Sequence, residues 1–360
     1  GTVDSFRTGR GLSVGWRRSV MSGEGRFLHA VRGDAIAVPP IWMMRQAGRY
    51  HGHYQALRAK HSFETLCRDA ALSAEVAMGP IEAFDFDAAI LFSDLLFPLE
   101  ALGFGLSYEK GPPMLDGSLD DERLRQFRSP DDALARLTFQ RDAIRATRAR
   151  LSTEKALIGF VGGPWTLFVY AVEGTHGGPL ARAKASPGLY RAFADRMVPL
   201  LVETIRLQFQ GGADIVMVFD TAAGELGPAA FASEIASDLD SLAAAFPGRL
   251  GYYAKGADQG HFAALAGVWA GIGVDQRWPL ANTLTEPRPR RFLQGNFDPE
   301  ALRAATPDFS AALERFLADL RPLSPETRRG WVCGLGHGVL PGTPEAHVRR
   351  FVSAVREAFA

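Results

Sequence analysis

Eight short apolar runs punctuate the chain, and most close on Gly, Asp, Asn or His before a longer segment with helical period. They are AVPPIWMM (37–44), AAILFSD (88–94), ALIGFVGG (156–163), IVMVFDT (215–221), RLGYYAKG (249–256), GVWAGIGVD (267–275), RFLQGNFD (291–298) and GWVCGLGHG (330–338). Several are apolar along most of their length rather than alternating, which is the pattern of strands buried on both faces of a parallel sheet. The intervals carry helix starts. Ser129-Pro130 with Asp131 and Asp132, Ser186-Pro187, Asp298-Pro299-Glu300 and Thr343-Pro344-Glu345 each set a capping side chain before a proline at the first helical position. Gly211-Gly212 predicts the stop of the helix that starts near Pro187, and Pro199 predicts a kink within it.

Strands alternating with helices eight times predict an α/β fold, a single (β/α)8 TIM barrel, with a doubly wound open sheet as the alternative. The segments after the first two strands are long, so excursions beyond a minimal barrel are expected there. Residues 1–24 read as a disordered N-terminal extension, whether transit-like, an expression remnant or the product of a start upstream of a natural Met21, with Arg7, Arg10, Arg17 and Arg18 among Gly and Ser. Residues 25–360 read as one catalytic domain.

A chain of 360 residues, 47% of them hydrophobic, can bury a core of that size. Lys plus Arg is 40 and Asp plus Glu is 40, so no overall charge favours nucleic acid or an anionic membrane as partner. Any anion site must be local. The two cysteines, Cys67 and Cys333, can build neither a disulfide framework nor a Cys-rich zinc site, and they fit a reducing, cytoplasmic setting. No stretch reaches the eighteen or so apolar residues of a membrane span.

In a barrel, chemistry gathers where loops leave the C-terminal ends of strands. The polar residues fall there: Arg45 and Arg49 after the first strand, Asp94 at the second, Asp220 and Thr221 at the fourth, Lys255 at the fifth, Asp275 at the sixth, Asn296 and Asp298 at the seventh, His337 at the eighth. Asp275 and Asp298 also suit turn formation or helix capping. Arg45 and Arg49 straddle Gly48, which would let the backbone bend so that both guanidiniums face inward. Two fixed cations with bidentate donors point to a di-anionic or poly-anionic ligand, and a structural ion pair is the alternative. HGH (51–53) has the spacing of a metal pair but lies outside the first strand, and the glycines of GLGHGVLPGTP (334–344) suit either a phosphate cradle or a tight turn.

In order, MRQAGRY (44–50), AAILFSD (88–94), PWTLFVYAVEG (164–174), FDTAAGELGP (219–228), QGNFDP (294–299) and LGHGVLPGTP (335–344) resemble the signatures of the uroporphyrinogen decarboxylase family, across residues 25–358. The resemblance implies decarboxylation of the four acetate side chains of uroporphyrinogen III to methyls, giving coproporphyrinogen III in haem biosynthesis. It implies no metal and no organic cofactor, because an electron-rich pyrrole protonated at a ring carbon serves as its own electron sink. It also implies a cytoplasmic homodimer. Residue by residue, Arg45, Arg49 and Arg58 match carboxylate-binding positions, Asp94 the essential aspartate that accepts from pyrrole N–H groups, Tyr170 a tyrosine that orients the reacting group or Asp94, and His337 a carboxylate-binding histidine. Arg45, Asp94 and Tyr170 are the expected catalytic set. Thr221 stands where the family usually has Ser and keeps the hydroxyl. HGHY replaces the usual LPEY-like run, and GVDQ (273–276) replaces a Gly-Leu-Asp-Trp pattern. The proton donor stays open between an arginine, a water and a protonated carboxylic acid. Rival readings are a corrinoid- or thiol-dependent methyltransferase of the same superfamily, a Schiff-base aldolase using Lys255, and a non-catalytic porphyrin-binding protein.

Overall fold

The computed structural model describes residues 25–109, 111–287 and 291–360. The expected N-terminal extension, 1–24, lies outside the described residues. Seven parallel strands form one sheet: β1 (Ala88–Ile90), β4 (Ala156–Gly162), β5 (Ile215–Phe219), β6 (Leu250–Tyr253), β7 (Gly271–Gly273), β8 (Phe292–Phe297) and β9 (Trp331–Leu335). Spatial order follows chain order, as right-handed crossovers through intervening helices produce. The register runs from Ala88 opposite Ala156 at one edge to Leu293 opposite Trp331 at the other. Each strand occupies the middle or front of its predicted run, and the polar tail of the run becomes the loop that follows.

The run 37–44 differs. It supplies one bridge, Ile41 with Cys333, rather than a strand. Pro39 and Pro40 have no N–H to give a ladder, and the N–H of Met43 is taken by Oε1 of Gln46 at 3.1 Å. What the segment keeps is hydrogen bonds on both sides. Cys333 N–H donates to the Pro40 carbonyl at 2.8 Å and Trp42 N–H to the Cys333 carbonyl at 3.3 Å, while Asp87 N–H donates to the Ile41 carbonyl at 2.8 Å. Residues 40–42 therefore touch both the β9 edge and the start of β1, so the sheet is curled.

The expected excursions are present. Helices Gly52–Arg58, Phe63–Arg68 and Ala70–Phe84 precede β1, and between β1 and β4 come helix Phe97–Leu102, the antiparallel pair β2 (Leu106–Ser107) and β3 (Met114–Leu115), and three further helices. Ser129 and Asp298 cap their helices by accepting from Asp132 N–H at 3.2 Å and Glu300 N–H at 2.9 Å. Ser186 and Thr343 do not: Ser186 precedes its helix without a side-chain cap bond, and the Thr343 hydroxyl donates to the Leu340 carbonyl while helix Glu345–Phe359 starts after Pro344. Gly212, at φ 113°, ends helix Pro187–Gly211, which accommodates Pro199 in its interior.

Inside the curl, Trp42, Met44, Ile90, Ile158, Met217 and Phe292 pack together with Phe27 of helix Arg26–Val31, which covers the N-terminal ends of the strands. A larger apolar layer joins the outer face of the sheet to the helices. The opposite, C-terminal end of the sheet carries the polar loops.

One carboxylate holds the bridge segment in place. Asp87, 5% exposed, accepts from Ile41 N–H at 2.8 Å and from Arg26 at 3.2 Å. Asp87→Ala should leave a buried N–H without its partner, at a cost of about 1–3 kcal/mol. Thermal unfolding is the check: an unchanged melting temperature would mean that the carboxylate does not secure this segment.

Candidate active site

Past Trp42 the chain turns sharply, and the turn is made by Arg45 rather than Gly48. Arg45 sits at φ 59°, a left-handed conformation that costs a non-glycine residue roughly 1–2 kcal/mol. Gln46 holds the turn: its Oε1 accepts from Met43, its Nε2 donates to the Ala88 carbonyl at 2.9 Å, and its carbonyl accepts from the Tyr50 hydroxyl at 2.7 Å. Gly338 makes room for the side chain, since a Cβ there would lie 2.6 Å from Arg45 Cδ. Both Arg45 and Arg49 are exposed, and among the described residues neither has a carboxylate within ion-pair distance. The structural-ion-pair alternative is therefore not what the fold builds. Arg58, on helix Gly52–Arg58, donates to the His61 carbonyl at 2.7 Å and acts with Arg49 on the intervening Tyr54.

Asp94 lies just beyond β1, with Oδ1 accepting from Leu96 N–H at 2.7 Å. Burial pushes its pKa up, against the opposing pull of that N–H, the Tyr108 hydroxyl and the Arg45 charge. An aromatic wall flanks it: Tyr54 to Phe92 at 5.6 Å, Phe92 to Phe63 at 5.5 Å and Phe63 to Tyr108 at 4.5 Å between ring centres. Tyr170, on helix Pro164–Glu173, is pushed up to about 12 by burial and by the charge of Asp94, with Arg45 opposing. Its hydroxyl meets Nδ1 of His176 at 2.5 Å. His337 follows β9, with Nδ1 accepting from Gly338 N–H at 2.6 Å, and its pKa is lowered to about 4 by burial, then by Arg45, Lys255 and His176. Thr221 is half-buried just after β5, and Lys255 is exposed after β6.

Arg45 thus acts on Asp94, Tyr170 and His337 at the C-terminal end of the sheet, and Asp94 acts on Tyr170. Other expected candidates have structural work. Asp220 turns inward, fully buried, and accepts from the Thr166 N–H at 3.0 Å, the Thr166 hydroxyl at 2.7 Å and the Tyr252 hydroxyl at 2.9 Å. Asp275 binds Gly256 N–H and the Arg277 guanidinium at 2.8 and 2.7 Å, and Asn296 donates to the carbonyls of Asp275 and Trp278. His53 pairs with Glu75 at 2.8 Å, and His51 stacks near Tyr50. Among the described residues no three His, Cys, Asp or Glu side chains gather as metal ligands, and Cys67 and Cys333 are buried in separate elements. Sequence reasoning missed His176 and Tyr108. His176 stands two residues past the PWTLFVYAVEG motif, which is the signal that could have found it; Tyr108 lies in the loop between β2 and β3, where nothing marks it.

The uroporphyrinogen decarboxylase family model matches residues 23–358. The chain belongs to the uroporphyrinogen decarboxylase family. Uroporphyrinogen decarboxylases similar to it include those of Synechococcus sp., 34% identical over 92% of this chain and 97% of that protein, and of Hahella chejuensis, 35% identical over 93% and 96%. The Homo sapiens uroporphyrinogen decarboxylase is 33% identical over 92% of this chain and 93% of its own. Among solved structures, a methyltransferase from Methanosarcina mazei superposes with a TM-score of 0.69 at 17% identity, covering 93% of this chain and 98% of that one. At that identity the likeness concerns the fold alone.

In this member of the uroporphyrinogen decarboxylase family, the candidate site presents a neutral imidazole beside unpartnered cations at neutral pH. A histidine whose folded pKa lies below its unfolded value binds fewer protons than the unfolded chain between about pH 4 and 6.5. The His337 contribution to stability is therefore complete above that window and is lost as pH falls through it. An NMR titration should find the His337 ring neutral down to about pH 4, and Arg45→Gln should move its midpoint upward, because a charge that disfavours imidazolium is gone. A midpoint that ignores Arg45 would separate the two groups.

Proposed function

We propose that this member of the family carries out the full reaction, cofactor-independent decarboxylation of the four acetates of uroporphyrinogen III to coproporphyrinogen III, with the residues at the curled sheet's C-terminal end in defined roles. The chain is a carboxy-lyase of tetrapyrrole biosynthesis. The observation that carries the reading of the site is the set of exposed arginines without carboxylate partners around one half-buried aspartate. An octa-acid supplies the missing anions. Arg45, Arg49 and Arg58 bind substrate carboxylates, and the neutral His337 and the Thr221 hydroxyl bind further ones by hydrogen bonds. Asp94 accepts from pyrrole N–H groups and opposes the positive charge that forms when a ring carbon is protonated. Release of CO2 then returns the electron pair of the broken C–C bond to the ring system as an exocyclic methylene, protonation of that carbon gives the methyl, and loss of the proton first added to the ring carbon restores the pyrrole. Tyr170 holds the reacting group against Asp94, and Arg45 stands beside both. Residues 40–42 complete an eighth stave of the barrel, supported by their hydrogen bonds to both edges. A cytoplasmic homodimer is the form in which we expect the enzyme to work.

Anaerobic incubation of chelator-dialysed protein with uroporphyrinogen III should yield coproporphyrinogen III. Absence of product from folded protein, or activity restored only by added metal, would overturn the reading. Asp94→Asn keeps the shape and removes the charge, so kcat should fall far more than KM rises. Equal kcat in the two proteins would take Asp94 out of the chemistry.

A further inference from the structure

The loop after helix Pro164–Glu173 places a second imidazole at the same mouth as His337. His176 feels the charges of Arg45 and Lys255, as His337 does, and His176 itself acts on His337. Both have Nδ1 occupied. At His337 the partner is Gly338 N–H, which can only donate, so the proton of the neutral ring resides on Nε2. At His176 the partner is the Tyr170 hydroxyl, which as donor leaves the same tautomer. Among the described residues neither Nε2 has a hydrogen-bond partner.

We propose that His176 and His337 form a two-imidazole clamp, their Nε2–H groups converging on one carboxylate of the ligand, with His176 also fixing the Tyr170 hydroxyl. Burial, followed by the charges of Arg45 and Lys255, keeps His176 from protonating, so it acts as a neutral donor. Two neutral donors add directional recognition to a mouth where the arginines already supply charge. They spare the site two more cations that would repel Arg45 in the free enzyme. The inference rests on the proposed function insofar as it takes a polycarboxylate as ligand.

Two substitutions separate the nitrogens. His176→Asn keeps an acceptor near the Nδ1 position for Tyr170 and removes the Nε2 donor, whereas His176→Gln places an amide N–H near Nε2 and gives up the Tyr170 contact. The clamp predicts that Asn raises KM for uroporphyrinogen about ten- to hundredfold while kcat changes little, and that Gln recovers most of the loss in KM. Melting temperatures should match the parent in both. Wild-type KM in Asn, or Gln as impaired in KM as Asn, overturns the clamp; in the first case a lower kcat in Gln would leave orientation of Tyr170 as the role. The same ordering should appear in the dissociation constant for uroporphyrin, a non-reacting octacarboxylate, read by fluorescence quenching. That measurement does not need turnover, so a parent protein that fails to decarboxylate would sink the functional reading while the clamp still stands or falls on the binding order.

Discussion

Arginines held without internal carboxylate partners are the constraint on which the rest of this molecule turns. Several guanidiniums are neutralised by carboxylates: Arg277 on Asp275, Arg191 on Asp238, Arg150 on Glu75, Arg148 on buried Asp214. Arg45 and Arg49 are not, and together with Lys255 they must be kept close enough to act on one ligand while repelling one another. Solvent exposure lowers that repulsion, and rigid loops prevent the charges from drifting apart or finding acids. The hydrogen bonds of Gln46, the Asp220–Thr166–Tyr252 network and the Asp275 ion pair all serve loops that leave strand ends. Their carboxylates are used up in place, which keeps them from competing with a substrate for the free arginines.

Seven of the eight strand positions were legible because the runs that form them are apolar on both faces. The exception was legible too, in Pro39-Pro40, though run-counting gave the apolar residues more weight than the missing donors. The excursions, the caps at Ser129 and Asp298 and the stop at Gly212 follow from local rules. Thr343 follows a different local rule, bonding back to Leu340. The site was legible to the extent that strand ends converge: Asp94 and His337 follow β1 and β9, Arg45 follows the bridge segment, and Tyr170 lies on the helix after β4. Direction was not legible. Asp220 and Thr221 are neighbours on one strand end, yet alternation sends Asp220 into the interior and leaves Thr221 half-buried at the rim. Nor could a sequence show that Arg45 rather than Gly48 adopts the left-handed turn, because glycine is the cheaper choice locally. A non-glycine residue there is held by the tertiary structure through Gln46, Tyr50 and the space left at Gly338.

Asp94 shows why such strain and desolvation are useful. Alone, burial of its carboxylate favours the protonated form, which could neither accept two pyrrole N–H bonds nor oppose a positive ring. The Leu96 N–H, the Tyr108 hydroxyl and the charge of Arg45 pull the other way, each from a group that the fold has already oriented. In the proposed reaction the carboxyl therefore meets the substrate half-buried, with its pKa raised by burial and with the Leu96 N–H and the Arg45 charge favouring the ionised form. In the proposed reaction, bulk solvent would have to reorganise to give the same stabilisation as charge develops on the pyrrole, whereas groups oriented during folding need not. Arg45 takes part at both ends of this arrangement: its charge favours the ionised Asp94 and disfavours protonation of His337 and His176. One guanidinium, fixed by a costly backbone turn, thereby adds to burial in keeping both imidazoles neutral and opposes burial at the acid.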